Sequence, residues 1–307
     1  MAVKQAIACL SVALTCLGCR STAPSGGRPR IGVVLKALDS EFWLEVKRGA
    51  ESAAAGRAEL GIVAPDREIN IDQQVSMIED QISRGVAALV LAPAASAQVI
   101  PALEKAAERG IPVIIVDTDI PWPKKVTYVG TNNYEGGKLA GQFVVQAIPG
   151  AAQVGLLTGI PGEETHEGRK RGFKDVLAAT PRLELAAEQP ANSERALAMN
   201  VMENMLTARP KLAAVFATSD QMALGALEAI QARRSGLPVK LVSFDAGREV
   251  LNLIRQGKVD AVVAQRPFLM GKLGVEAALK SLGGEKVEPV IDTGTALVTR
   301  ENVDKFQ

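Results

Sequence analysis

The chain has 307 residues, 47% of them hydrophobic and 22% charged, with a formal net charge of +1. That length accommodates two domains with full cores, and the composition excludes a disordered or fibrous chain. A near-neutral charge with interspersed signs removes the electrostatic case for nucleic acid or an anionic membrane surface as the main partner.

The first segment has the outline of an export signal. Lys4 supplies a short positive region, and residues 6–18 are apolar yet short for a bilayer span. The run ends in Leu17-Gly18-Cys19 and turns polar through Arg20, Ser21, Pro24 and Ser25. This ending resembles a bacterial lipobox, although Cys16 stands where an aliphatic residue is usual. The resemblance implies a signal peptide over 1–18, diacylation of Cys19 and a lipidated tether over 19–29; an ordinary cleaved signal is the alternative. The three cysteines, Cys9, Cys16 and Cys19, all fall here, and His166 is the one histidine. A mature part starting at Cys19 therefore lacks disulfides, and cysteine catalysis and Cys- or His-based metal sites are excluded. No metal or cofactor is expected.

From about residue 30, strands and helices alternate. Ile31–Leu35 reads as a buried strand, Phe42–Leu60 as a helix and Gly61–Val63 as a short strand. A helix over Asn70–Arg84, a strand over Ala87–Leu91, a helix over Ser96–Arg109 closed by Gly110, and a β-branched strand over Pro112–Val116 follow. After a break at Ile120–Lys125, Val126–Val129 is a strand leading to a crossing at Gly130-Thr131-Asn132. The rhythm then restarts, with strands expected at Val154–Leu157, Leu183–Ala187, Ala213–Ala217, Val239–Phe244 and Ala261–Ala264. Helices are expected at Tyr134–Ile148, Glu167–Ala178, Ser193–Ala208, Gln221–Arg233, Arg248–Gln256 and Phe268–Leu282, with a last strand near Val290. Continuous apolar strands between amphipathic helices predict an α/β fold of two similar, doubly wound parallel-sheet lobes.

The residues after each strand form a chemically coherent set, placed where open α/β sheets bind ligands. Lys36, Asp39, Ser40, Phe42 and Trp43 follow the first strand, and Asp117, Thr118 and Asp119 follow the fourth. Thr158–Glu164, Arg169, Ser219, Asp220, Asp245 and Gln265 hold the corresponding places in the second run. Sugar hydroxyls both donate and accept, so mixed polar partners suit a polyol, while aromatic rings cover a pyranose C–H face. Phe42 and Trp43 also suit a helix packed on the core. Ser219-Asp220 also suits a helix cap, and Arg169 beside Lys170 and Arg171 a solvated basic turn. His166 reads as a loop residue beside the cleft.

With these residues in view, the chain resembles an ABC-importer solute-binding protein of the ribose/allose-binding group, with the type I periplasmic-binding fold. The resemblance covers about residues 30–299. It rests on Val34-Leu35-Lys36 with Phe42-Trp43, Gln189-Pro190-Ala191, Asp220-Gln221-Met222-Ala223-Leu224-Gly225, Phe244-Asp245 and Val263-Ala264-Gln265. It implies that Phe42 and Trp43 sandwich a sugar ring, that Lys36 leans toward the allose binders, and that Asp117, Arg169, Asp245 and Gln265 contact the ligand. Four positions depart from the pattern: Ser40 for Asn, Thr118 for Arg or Glu, Ser193 for a third aromatic, and Ser219 for Asn. Trp122 is one possible replacement wall. The resemblance further implies lobes at 30–130 plus 266–293 and 131–265 plus 294–307. Their hinge has three segments, near Gly130-Thr131, Gln265-Arg266 and Asp292–Thr295. A monomer that hands a monosaccharide to ABC permease subunits from the periplasm or cell surface is then expected.

Rival readings are weaker. No G-x-G-x-x-G follows the first strand, and Gly155–Gly162 lacks the P-loop lysine, so no nucleotide-enzyme signature is present. A repressor built on this core needs a basic DNA-binding module before it, where an apolar signal stands instead. A sensory binding protein, presenting its ligand to a chemoreceptor or sensor kinase, shares the same site residues and stays open.

Overall fold

The computed structural model describes residues 27–233 and 237–306. The signal segment and Cys19 lie outside the described residues. The first run contains β1 (Arg30–Val34), α1 (Glu41–Ala54), β2 (Glu59–Val63), α2 (Ile71–Ser83), β3 (Ala88–Leu91), α3 (Ser96–Glu108), β4 (Val113–Asp117) and β5 (Thr127–Gly130). The second contains α4 (Asn133–Ala147), β6 (Ala152–Thr158), α5 (Glu164–Ala178), β7 (Leu183–Pro190), α6 (Arg195–Ala208), β8 (Leu212–Ala217), α7 (Asp220–Ala232), β9 (Lys240–Phe244), α8 (Arg248–Arg255) and β10 (Ala261–Ala264). The chain ends with α9 (Pro267–Leu282), β11 (Val290–Asp292), β12 (Ala296–Thr299) and a short 3-10 turn.

Two six-stranded sheets result, in the orders β11-β5-β4-β3-β1-β2 and β12-β10-β9-β8-β6-β7. All pairings are parallel except β12 against β10. Central strands such as β3 and β4 are buried along their whole length, which explains why they read as unbroken apolar runs. Each sheet is covered by helices on both faces, so every lobe has two core layers.

The chain passes between the sheets three times: after β5, between β10 and α9, and between β11 and β12. α9 follows the second sheet in sequence but packs on α1 of the first. Gly49 and Gly271 face that seam, where an added Cβ would overlap the backbone carbonyls of Phe268 and Val46. Two crossings are stitched side by side, since the Thr293 N–H and hydroxyl both donate to the Gly130 carbonyl, at 2.8 and 3.1 Å.

Several boundaries differ from the sequence expectation. α1 stops at Ala54 and does not reach Leu60, because Gly56 turns the chain at φ 74° and Glu59 already pairs with β1. α5 starts at Glu164, one turn early, which places Thr165 and His166 in its first turn. α6 starts at Arg195, since Asn192 and Ser193 adopt φ of 52° and 59° and cannot be helical. β12, beyond the expected last strand, closes the second sheet antiparallel. Trp122 is no replacement wall: it is 2% exposed within the first lobe's core, its indole donating to Glu104 at 2.7 Å.

Candidate functional site

The carboxyl ends of both sheets converge on a cavity of about 340 Å³. That lies within the size range of small-molecule sites. The first lobe contributes Lys36, Ser40, Phe42, Trp43 and Asp117, and the second Arg169, Ser193, Ser219 and Asp245. Nine of the eleven ligand residues expected from sequence therefore line one enclosure. The other two stand behind it, each bonded to a lining aspartate. Thr118 donates to Asp117 at 2.9 Å, and Gln265 donates to Asp245 at 2.6 Å.

On the first lobe, Ser40 precedes α1 without capping it, which leaves its hydroxyl to the cavity. Phe42 and Trp43 meet edge to face, with ring centroids 4.9 Å apart, and both are buried. The indole N–H of Trp43 donates to Glu68 at 2.7 Å, which fixes the ring plane. Lys36 Nζ lies 5.8 Å from the Trp43 ring centre, 2.6 Å from Glu163 Oε1 and 3.2 Å from Asp117 Oδ2. Burial works to lower the Lys36 pKa, but the Glu163 and Asp117 carboxylates outweigh it and the ammonium is held well above its ordinary range. Burial likewise works to raise Glu163, and Lys36 with the His166 backbone N–H drives it far below the usual carboxylate range. Burial raises the Glu68 carboxyl despite Lys36 nearby.

On the second lobe, Glu163 caps α5 through the His166 N–H at 3.1 Å and lies 2.9 Å from the Thr118 hydroxyl. The His166 ring lies between Thr218 Oγ1, 2.8 Å from Nδ1, and Ser193 Oγ, 3.1 Å from Nε2. Burial lowers its pKa to about 3, with Arg169 and Lys36 adding to the effect against Glu163, so the imidazole is neutral. A Cβ at Gly159 would overlap that ring, so the close approach requires glycine there. Arg169 is buried rather than solvated. Its guanidinium stacks 3.7 Å over Phe244, donates to the Thr218 carbonyl at 2.8 Å and to Asn133 at 2.9 Å, and stands 3.7 Å from Asp245. Ser219 Oγ accepts from Met222 N–H at 3.5 Å, so the capping reading applies to it, although it also lines the cavity. Burial and neighbouring Asp245 push Asp220 up to about 8.

Backbone strain concentrates here. Among the described residues, the non-glycine residues at positive φ are Asp117, Asn192, Ser193 and Asp245, and all four line the cavity. Each such conformation costs on the order of 1 kcal/mol or more, and strain of this kind collects at ligand sites.

Sequence reasoning missed Glu68, held Glu163 only as one of the segment Thr158–Glu164, and assigned His166 a bystander's place. Glu163 lies three residues before His166 at a helix start, a capping signal visible in retrospect. Glu68 sits in the polar β2–α2 loop and carries no such signal. Among the described residues, no group of three or more His, Cys, Asp or Glu is arranged to hold a metal ion.

Two ion pairs bridge the lobes, the first of them in the cavity lining. Arg67 meets Glu194 at 3.2 Å, and Glu41 accepts from both the guanidinium and the backbone N–H of Arg248 at 2.6 Å. Together with Lys36–Glu163, they hold the lobes closed on the enclosed space. The arrangement offers an aromatic corner, donors and acceptors from both sides, and a hinge behind.

Comparison with known proteins places this geometry. The periplasmic binding protein domain matches residues 31–286. A ribose import binding protein of Bacillus subtilis is 35% identical over 271 residues, covering 88% of this chain and 87% of the relative. A solute-binding protein from Agrobacterium vitis, solved with bound D-fucose, superposes with a TM-score of 0.86 at 31% identity, over 90% of this chain and 97% of that one. A periplasmic solute-binding protein from Actinobacillus succinogenes with bound D-allose gives 0.85 at 30% identity, over 91% and 100%.

Proposed function

This chain belongs to the periplasmic binding protein family, in the group of the ribose- and allose-binding proteins, and from that premise we propose that it captures one monosaccharide between its lobes and delivers it to an ABC importer. The observation that carries the reading is the enclosed cavity whose walls come from both lobes. Phe42 and Trp43 cover an apolar sugar face. Asp117, Arg169 and Asp245 address hydroxyls, with Thr118 and Gln265 fixing the two aspartates. Ser40, Ser193 and Ser219 supply short hydroxyl contacts. Lys36 has three donors, of which two face Glu163 and Asp117, so one is left for the ligand.

The ligand favours the closed state because only there do both lobes touch it, and closure is a rotation of rigid lobes about the three crossings. No bond is made or broken. The relatives solved with D-allose and D-fucose support a pyranose-sized ligand. The test is a thermal-shift screen of the mature protein over aldoses, ketoses and sugar alcohols. At least one is expected to raise the melting temperature by several degrees. A panel without any such shift would end the sugar reading.

The mature protein acts as a monomer anchored through acylated Cys19, with the Ser/Gly/Pro tether giving it reach. Cys19→Ala is expected to abolish incorporation of an alkyne fatty acid while sugar binding persists. Label retained on that variant would rule out the anchor.

A further inference from the structure

The cavity carries more carboxylate than its own cations match. Four cations and six carboxylates line it. Lys36 is engaged by Glu163 and Asp117, Arg67 by Glu194, and Arg195 by Glu228 and Glu249 on the outer surface. Arg169 alone remains for the inner end, and it stands beside Asp245 while donating to backbone and to Asn133.

Asp220 has no cation partner among the described residues, although it is only 7% exposed. Its Oδ1 accepts from the Gln221 N–H at 2.7 Å, and its Oδ2 has only the Gln221 carboxamide at 3.5 Å. Glu68 is likewise without a cation and accepts one bond, from Trp43. A neutral sugar supplies hydroxyl donors to these oxygens but no charge, so burial keeps Asp220 protonated with it bound. A protonated amine supplies three donors and the missing positive charge.

We infer that the ligand is a cationic sugar, an aminodeoxy monosaccharide whose ammonium group is taken by the cavity-lining carboxylates of Asp220, Asp245 and Glu68. The inference rests on the sugar-binding reading and narrows it. The raised Asp220 carboxyl fits: without ligand it holds a proton near neutral pH, which an incoming ammonium displaces. The groups around it are Asp245 after β9, Glu68 in the β2–α2 loop and Gln221 on its own helix, with the Glu41–Arg248 pair of α1 and α8 across Gly247.

Isothermal titration of the mature protein tests this with 2-amino- and 3-amino-deoxy forms of glucose, galactose and allose. Each is paired with its parent hexose and its N-acetyl derivative. At least one amine is expected to bind about tenfold or more tighter than both partners, roughly the effect of one buried charge contact. Its binding heat should vary with the buffer in the sense of proton release. In Asp220→Asn the preference of amine over parent should fall toward parity, with Glu68→Gln read the same way should the first variant fail to fold. Parent hexoses that bind as tightly as every amine would overturn the inference and leave the sugar reading standing. If neither class binds, the inference falls, and the wider panel of aldoses, ketoses and sugar alcohols decides the sugar reading.

Discussion

Lys36 donates to Glu163 across the lobe boundary and faces Asp117 on its own side, so one side chain both lines the cavity and ties the lobes together. It was legible from sequence because it stands directly after a strand, as do Asp117 and Asp245. Glu163 was not, because an acid in a loop is one among many until the fold sets it 2.6 Å from a buried lysine. Nor did anything in the serine at 193 foretell its left-handed backbone, whereas asparagine at 192 tolerates that region. His166 carries the pH consequence. Its folded pKa of about 3 lies below the ordinary 6.5, so above 6.5 both states are neutral and its contribution is fully present. As pH falls from 6.5 toward 3, the unfolded chain takes up a proton that the fold refuses. Stability is then lost at up to about 1.4 kcal/mol per pH unit. His166→Gln should flatten that slope in urea melts between pH 6.5 and 4; an unchanged slope would remove the histidine as its source.

Helix and strand order was readable almost throughout, because period and apolar continuity report the sheet from within a short window. Boundaries were not, where backbone conformation decided: α1 ends at a glycine turn, and α6 begins only after two left-handed residues. The pairing of α9 with α1 was hidden for a different reason, since it joins segments more than two hundred residues apart. The Gly49–Gly271 seam is where that pairing is specified. Gly271→Ala would drive a methyl into the Val46 carbonyl and must force the helices apart. A loss of about 1–3 kcal/mol is expected in equilibrium unfolding, despite alanine's better helix propensity. A neutral or stabilised variant would show that the seam yields without cost.

At the scale of the whole molecule, the lobes are held shut by contacts of two kinds. Lys36–Glu163 is buried, whereas Glu41–Arg248 is a rim latch with its arginine in solvent. Exposed pairs contribute little each. Glu41→Ala should therefore speed ligand release by only about two- to fivefold and leave the fold intact. Stopped-flow fluorescence reads this through Trp43, since Trp122 lies in the core away from the cavity and provides a constant background. Release at an unchanged rate would show that the latch is a passenger of closure.

The three crossings also fix a timetable. α9 and β11 belong to the first sheet's lobe but come after the entire second sheet except β12. As the chain leaves the ribosome from its N-terminus, the half made first waits for almost the last residues before α1 gains its partner and β5 its neighbour. The half begun later has all its α-helices, α4 to α8, by residue 255 and waits only for its edge strand β12. Until residue 292 emerges, the first half keeps an open edge and an uncovered helix, so it cannot lock early. Under the export proposed for this chain, late completion keeps it threadable until its final stretch has been synthesised.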